Sequence, residues 1–497
     1  MASLSKSTYL MGLQCPKLLW HRYNAKEELP EADEARQAIF DQGHEVGAWA
    51  KRLYPDGVEV GEGVVELKEV AARTQHQLPS RKPLFEPAFL TPTCYARADI
   101  LVPVGRNQWD VVEVKSSTKP KDINSHDLAF QRHVYESAGL KIRKTVLMHL
   151  NNGYSRQGAI EPEKLLATTD LTDEVVELCA DVPRKVAEML AVIGGKQFPT
   201  VAIGKQCADP YECPLTGKCW SFLPDHSVMD LYSGKQKGFA LIKQGIVRLA
   251  DIPATTKLTD RQTIQRSVIQ TGKPHLDRQA IRSFLATLQY PLSFLDFETI
   301  NPAIPLFDDS SPYQQIPFQF SLHVVEVEGA APRHFKFLHP NRSDPRPSFM
   351  EQLRRDLPPT GSVVVFNASF EKSRLREGVE LMPQFQSWWR KVEPRIVDLL
   401  DPFRAFDFYD ADQRGSASIK AVLPVMTGSG YEPLAIQDGG TASRMYLAAV
   451  FSEMADAERS RVFSQLDDYC GLDTRGMIGI VEALQNGSMQ GRPANIS

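Results

Sequence analysis

The sequence lacks the long apolar runs and the cysteine density that mark several common protein classes. No run of about 18 apolar residues occurs, so no membrane-spanning helix and no membrane partner are predicted. The first twenty residues lack the apolar core of a signal peptide, so the predicted compartment is the cytoplasm. Seven cysteines among 497 residues do not predict a disulfide scaffold.

An excess of positive charge is also missing, because the formal net charge is −4. Proteins that bind nucleic acids are often basic overall, so this value is mild evidence against such a partner. The objection is limited, because nucleases gather acidic residues at their metals and place Lys and Arg locally around the groove. A chain of this length predicts two to four domains.

Hydrophobic periodicity predicts an α/β chain in three parts. The first, residues 1–222, has helices at 8–23, 34–54, 122–139 and 171–194, strands within 84–116 around a turn at 105–108, and a strand at 144–150. Residues 223–285 form a polar helical connector, which is either weakly helix-hairpin-helix-like or a plain linker. Residues 286–497 start a second α/β pattern with three strands, then helices near 370–380, 417–425 and 455–486, and a frayed tail.

The strand VVEVK places Glu113 and Lys115 on one face, because alternate residues of a strand point to the same side. Asp99 lies at the edge of the preceding strand, and antiparallel pairing would bring it near Glu113. Two carboxylates can hold Mg²⁺ or Mn²⁺, and Lys115 can orient a water or stabilise charge on a phosphate. A surface hairpin with an exposed polar face is the alternative, since such a triplet also occurs by chance.

Residues around this triplet extend the pattern. His44 lies upstream, and Gln131 and Tyr135 share a face of the next predicted helix. The order of His, Asp, E-x-K and Q-x-x-x-Y resembles the RecB-type branch of the PD-(D/E)XK nucleases, which have a restriction-endonuclease-like fold. The resemblance implies these roles: metal binding by His44, Asp99 and Glu113, catalysis at the metal-bound Asp99 and Glu113 with Lys115, and support of the site and of DNA by Gln131 and Tyr135.

Four cysteines form a second pattern. Cys207, Cys213 and Cys219 are equally spaced, Cys15 stands near the N-terminus, and four thiols can supply the ligands of a metal centre. Zinc is one alternative, although the C-x-x-C pairs of ordinary zinc ribbons are absent. One cysteine before a nuclease core and three after it resembles the iron–sulfur RecB-type nucleases, including CRISPR-associated and AddB-type nucleases, and implies a structural [4Fe–4S] cluster. The remaining cysteines are predicted to be buried small apolar residues: Cys94, Cys179 and Cys470.

The C-terminal part carries a separate acidic series. Asp296 and Glu298 alternate on one face of the apolar strand SFLDFETI, with Phe297 on the other. The motif FNASFE then supplies an amide and a carboxylate, and a tyrosine and an aspartate four residues apart share a face of the last predicted helix. These later residues are Asn367, Glu371, Tyr469 and Asp473.

The order D-x-E, N-x-x-F-acid, Y-x-x-x-D resembles the DEDD exonucleases with a tyrosine, which have an RNase H-like fold. The resemblance implies two metal ions, substrate contact by Asn367, and a water positioned by Tyr469. The implied metal ligands are Asp296, Glu298, Glu371 and Asp473. Glu371 stands where that family generally has Asp, so a domain that kept the fold and lost efficient chemistry is the alternative.

From residue 5 to about 485, the chain resembles an uncharacterised bacterial family that pairs a RecB-type nuclease with a DEDD-like domain. This resemblance predicts a metal-dependent nuclease that digests DNA from single strands or ends, in repair or defence, and RNA stays open as a second substrate. Contacts to phosphates alone do not distinguish DNA from RNA. Two other functions stay open: a nucleic-acid capture module with silent acidic sites, and an iron–sulfur redox sensor with a labile cluster.

Overall fold

The computed structural model of the chain describes residues 3–31, 34–61, 63 and 66–487. These residues form two compact units. Unit 1 comprises Met1–Ser221 and Pro302–Tyr313, and unit 2 comprises Phe222–Asn301 and Gln314–Ser497. The predicted connector at 223–285 therefore belongs to unit 2. The predicted tail lies outside the described residues from 488 onwards.

Unit 1 is mixed α/β. Its described strands are β1 Leu4–Ser5, β2 Val58–Glu59, β3 Leu84–Phe85, β4 Ala88–Leu90, β5 Cys94–Arg97, β6 Ile100–Val104, β7 Gln108–Lys115, β8 Lys141–Leu150 and β9 Leu166–Asp170. Its described helices are α1 Lys6–Gln14, α2 Pro16–Asn24, α3 Glu34–Lys51, α4 Leu67–Gln77, α5 Asp122–Ser137, α6 Pro162–Leu165, α7 Thr172–Cys179, α8 Val182–Gly194 and α9 Thr216–Cys219.

The larger sheet of unit 1 has the order β2-β3-β6-β7-β8-β9, and β1, β5 and β4 form a smaller one. The hairpin β6–β7 turns where the sequence predicts it, with Gly105 at a positive φ of 53°. Its register pairs Ile100 with Val112, so Asp99 lies beside Glu113 as expected. β7 also runs parallel to β8, and this places the strand bearing Glu113 inside the sheet.

Two helices predicted as continuous are each broken in two. The helix expected at 8–23 stops at Gln14, because Cys15 is extended and Pro16 starts α2. The helix expected at 171–194 is interrupted at residues 180–181, and Pro183 occupies the first turn of α8. Both predictions were wrong for the same reason: proline has no N–H to donate and is best tolerated in the first turn of a helix.

Unit 2 is also mixed α/β. Its described strands are β10 His275–Leu276, β11 Leu292–Ile300, β12 Ile316–Val325, β13 Arg333–Leu338, β14 Val363–Val365, β15 Ile396–Asp398 and β16 Phe408–Tyr409. Its described helices are α10 Lys235–Lys243, α11 Asp260–Thr271, α12 Arg278–Leu285, α13 Pro345–Asp356, α14 Ala368–Leu381, α15 Gln386–Val392, α16 Asp401–Ala405, α17 Ile419–Thr427, α18 Gly439–Phe451 and α19 Asp456–Asn486.

The main sheet of unit 2 has the order β13-β12-β11-β14-β15, with β11 in the centre. β12 runs antiparallel to β11, and β14 runs parallel to it. The three predicted strands and the three predicted helices are confirmed within a few residues. β13 and β15 were missed, because β13 is a polar segment, RHFKFL, and β15 has only three residues.

Helix α19 packs against β11, β12, α17 and α18. Its approach to α17 depends on Gly476, where a Cβ would lie 2.8 Å from Leu423 Cδ2. This close contact allows the part of α19 that carries Asp473 to pack against β11, the central strand of the sheet. In the described part of the chain, no helix is both long and apolar enough to cross a membrane.

Candidate functional site

Glu113 lies at the heart of a buried polar cluster in unit 1, here called centre 1, together with Lys6, Asp99, Lys115, Asp127 and Gln131. Its side chain is 1% exposed. Lys115 Nζ and Lys6 Nζ each donate to Glu113 Oε1 at 2.6 Å, and Gln131 Nε2 donates to Oε2 at 2.7 Å. Burial opposes the charged carboxylate, but the two ammonium groups outweigh it and lower the pKa of Glu113 to about 2. The carboxylate is therefore ionised at neutral pH.

Two further carboxylates complete centre 1. Asp99 Oδ2 accepts a hydrogen bond from Val114 N at 2.6 Å, and burial together with the charge of Glu113 raises the pKa of Asp99 to about 6. Asp127 is buried and accepts from Lys115 Nζ at 2.9 Å and Gln131 Nε2 at 2.9 Å. The structure thus brings Asp99, Glu113, Lys115 and Gln131 together as predicted.

Lys6 and Asp127 were not predicted from the sequence. Asp127 and Gln131 are four residues apart on α5, and this helical spacing was a usable signal. Lys6 is 107 residues from Glu113 along the chain, and no local pattern connects the two.

His44 and Tyr135 do not take the places expected of them. Val46 and Ala50 point to the core from α3, and His44 lies on a different, exposed face. In the described part of unit 1, His44, Asp99 and Glu113 do not bring ligand atoms within 4.8 Å of one another. The Tyr135 hydroxyl is fully buried, accepts from Ala98 N at 2.6 Å and donates to the carbonyl of Pro87. It fixes the backbone before Asp99 and is not available to DNA, and Gln131 is equally buried.

The four cysteines of the predicted cluster line one small cavity, here called the cysteine set. Gln14 Nε2, from the residue before Cys15, donates to the carbonyls of Gln206 and Tyr211, so the distant segments are joined directly. Burial raises the pKa of the Cys15 and Cys213 thiols. Across the described residues, no three of these sulfurs lie within 4.8 Å of one another.

Centre 2, in unit 2, consists of Asp296, Glu298, Glu371, Tyr431, Tyr469 and Asp473. The carboxylates of Asp296, Glu298 and Asp473 lie within 4.8 Å of one another. Burial and the charges of its neighbours hold the pKa of Asp296 well above its usual range. Burial also raises the pKa of Glu298 to about 8 and that of Asp473 to about 6. Among the residues described, no lysine or arginine forms a direct ion pair with these three carboxylates.

Two tyrosines border these carboxylates. The Tyr431 hydroxyl donates to Asp473 Oδ1, and its ring centroid lies 6.0 Å from that of Tyr469. Lys420, on the exposed side of α17, places its Nζ 5.6 Å and 5.7 Å from the two ring centroids. Tyr469 is near the acidic group as predicted, whereas Tyr431 was missed because it lies in a loop without any motif.

Glu371 lies outside the tight group of three. It is 3% exposed, its Oε2 has no hydrogen-bond partner, and burial raises its pKa to about 8. Its charge acts on Asp296, so the two carboxylates are neighbours. Asn367 precedes α14 at a positive φ of 91°, and its N–H donates to Asp398 Oδ1 at 2.9 Å. The backbone of Asn367 is thus held by the end of β15.

The other cysteines were predicted to be buried, and this is confirmed for Cys94 and Cys470, while Cys179 is partly buried. Cys470 Sγ lies 3.7 Å from Asp296 Oδ2, at the inner side of centre 2.

Residues 293–418 match a family described as a domain of unknown function, DUF2779. The match begins in β11 and contains Asp296, Glu298 and Glu371, but it ends before Asp473.

Similar curated proteins come from three bacteria. The chain is 31% identical over 213 residues to the uncharacterized protein MG366 of Mycoplasma genitalium, which covers 39% of this chain and 32% of that protein. It is 28% identical over 208 residues to the MG366 homolog of Mycoplasma pneumoniae, covering 38% and 31%. It is 26% identical over 227 residues to the uncharacterized protein UU173 of Ureaplasma parvum, covering 41% and 32%. The chain matches about a third of the length of these relatives.

Among solved structures, the crystal structure of SSO0001 matches 45% of this chain and 87% of its own. The sequence identity is 11% and the TM-score is 0.24, so this match does not establish a shared fold.

Proposed function

We propose that the chain is a metal-dependent nuclease that hydrolyses DNA phosphodiesters at two centres. In this proposal unit 1 is a PD-(D/E)XK domain of the RecB type and unit 2 is an RNase H-like domain of the DEDD type. The observation that carries it is the group Asp296, Glu298 and Asp473, three crowded carboxylates without a direct cationic partner among the described residues. Such crowding is costly unless protons or a metal ion neutralise the charge.

The side chains of centre 2 fit Mg²⁺ or Mn²⁺, which prefer carboxylate oxygens. Asp296, Glu298 and Asp473 would hold one ion, and the unpartnered Oε2 of Glu371 offers a ligand for a second. A bound ion of this kind supplies a nucleophilic water and stabilises charge on the phosphate. Tyr431 orients Asp473 through its hydroxyl, and the ring of Tyr469 lies 6.0 Å from that of Tyr431.

Centre 1 fits the same chemistry with a different charge pattern. Asp99 and Glu113 would hold the ion, and Lys115, which contacts Glu113, would face the phosphate. Gln131 fixes the second oxygen of Glu113 and so sets the orientation of that carboxylate. His44 is not among the proposed ligands, because it is exposed and does not form a group with Asp99 and Glu113 whose ligand atoms lie within 4.8 Å of one another.

The cysteine set would hold a [4Fe–4S] cluster that joins the ends of unit 1. Zinc held by the same four thiolates, which line one cavity, is the alternative. Closing the long segment between Cys15 and Cys207 would stabilise the fold by restraining the unfolded chain.

An assay with end-labelled single-stranded and duplex DNA and RNA tests the proposal. Anaerobically purified protein with Mg²⁺ or Mn²⁺ is compared with Glu113→Ala, Asp296→Ala and the double variant. We expect each single variant to lose a distinct set of products and the double variant to lose all cleavage. If the native protein, with its cluster intact by absorbance, leaves every substrate whole, the nuclease proposal is wrong and a capture module takes its place.

A further inference from the structure

Lys6 is a second lysine at centre 1 that lies outside the E-x-K motif. It opens α1, where Ser5 and Thr8 form a reciprocal capping box, and β1 just before it pairs with β5. The far end of α1 is tied by Gln14 to the backbone of the cysteine segment. Lys6 is therefore aimed at Glu113 by a helix that is fixed at both ends.

Lys6 and Lys115 share one oxygen atom of Glu113. Both ammonium nitrogens lie 2.6 Å from Oε1, and Lys6 Nζ is also 4.0 Å from Asp127 Oδ1. Two ammonium groups already balance the negative charge of the Glu113 carboxylate. When a divalent cation also binds there, the positive charge around this carboxylate is in excess. The side chain of Lys6 is 26% exposed, so centre 1 encloses it only in part.

The charge balance of centre 1 indicates what the second lysine is for. Ionised Asp99, Glu113 and Asp127 with two lysines carry a net charge of minus one. Adding a divalent cation makes the centre plus one, which is the charge that complements one phosphodiester. Lysine is a common point-charge partner for phosphate.

We propose that Lys6 is a substrate-binding lysine that neutralises Glu113 when no metal is bound and turns to the scissile phosphate when one is. The inference rests on the proposed function of centre 1. Lys6 would then oppose metal binding and favour nucleic-acid binding. A lysine with only a structural role would instead favour both metal binding and nucleic-acid binding, or would affect neither.

The test measures two equilibria in an Asp296→Asn background, which silences centre 2. Mn²⁺ binding is followed by electron paramagnetic resonance without nucleic acid, and binding of a short single-stranded oligonucleotide is measured with Ca²⁺. For Lys6→Met we expect Mn²⁺ to bind roughly tenfold tighter and the oligonucleotide roughly tenfold more weakly. Lys6→Arg keeps the charge and should keep oligonucleotide binding within about threefold.

Lys164→Met is the matched control, because Lys164 pairs with Glu161 on the surface of unit 1, and both equilibria should be unchanged. Weaker Mn²⁺ binding by Lys6→Met, or unchanged oligonucleotide binding, would overturn the assignment. If both shifts occur as expected but the native protein cleaves nothing, the role of Lys6 stands and the nuclease proposal fails.

Discussion

The two acidic centres solve the same electrostatic problem in opposite ways. In centre 1, Glu113 has two lysine partners, and its pKa is lowered to about 2. In centre 2, burial raises the pKa values of Asp296, Glu298 and Asp473, and repulsion from neighbouring carboxylates raises those of Asp296 and Glu298 further. The two lysines of centre 1 balance most of its negative charge, whereas centre 2 depends on protons or an added cation. Similar carboxylate motifs can therefore have opposite effects on folding.

The two centres should differ most in how the unfolding free energy changes when one carboxylate in each is replaced by its amide. Without metal, Glu113→Gln takes a buried carboxylate partner away from two partly enclosed ammonium groups and should cost about 3 kcal/mol of unfolding free energy. Asp296→Asn removes a repelling group and should leave stability unchanged or raise it by about 1 kcal/mol. Urea denaturation in EDTA, near neutral pH, measures both.

Glu188→Gln is the control for this comparison, because Glu188 forms an exposed pair with Arg184, worth less than about 1 kcal/mol. If Asp296→Asn destabilises the protein as much as Glu113→Gln, the contrast between the centres is wrong.

Metal binding at centre 2 should depend strongly on pH. Glu298 and Glu371 have pKa values of about 8, so the metal-free fold keeps their protons where the unfolded chain has lost them. The contribution of these two groups to stability without metal is therefore fully present below about pH 4.5 and is lost as the pH rises through about 8. Mn²⁺ must displace these protons, so its affinity should rise roughly tenfold per pH unit for each proton displaced.

Titration with Mn²⁺ at pH 7 and pH 8 checks this expectation in a Glu113→Gln background. Centre 1, measured in the Asp296→Asn background, should change less than about twofold over the same range, because Glu113 and Asp99 have pKa values of about 2 and 6. If the Mn²⁺ affinity changed equally with pH at the two centres, the proposed electrostatic difference between them would be wrong.

Tyr431 should have a smaller effect that is confined to centre 2. Tyr431→Phe removes the hydrogen bond to Asp473 Oδ1, and a bond to a charged group contributes about 1.5–3 kcal/mol. We expect cleavage at centre 2 to fall roughly tenfold or more, with the products of centre 1 unchanged. Tyr409→Phe is a matched variant, since that hydroxyl bonds to Gln265 and Gly415, and it should not change the product pattern.

Local motifs predicted much of this arrangement from the sequence. Alternation along β7 and β11 placed Glu113 with Lys115 and Asp296 with Glu298, and helical spacing placed Tyr469 with Asp473. These relations span a few residues, so backbone geometry alone determines them. The α/β class and the strands around both centres followed from the same periodicity.

The features that were missed depend on packing between distant segments. Lys6 reaches Glu113 through the placement of α1, and Tyr431 reaches Asp473 from a loop. His44 was assigned by its order in the chain, but the apolar face of α3 determines where it points. A sequence motif gives the order of residues along the chain. The direction in which each helical side chain points depends on how the apolar face of the helix packs against the core.

The smallest expected effect concerns Tyr135, where the family pattern and the structure suggest different roles. If Tyr135 contacts DNA, Tyr135→Phe should weaken nucleic-acid binding. The structure places its hydroxyl between Ala98 N and the Pro87 carbonyl, fully buried. We therefore expect a loss of about 1 kcal/mol in unfolding free energy and oligonucleotide affinity within about twofold of the native protein. If Tyr135→Phe instead binds the oligonucleotide more weakly and its unfolding free energy is unchanged, Tyr135 contacts DNA. That result would show that centre 1 opens when nucleic acid is bound.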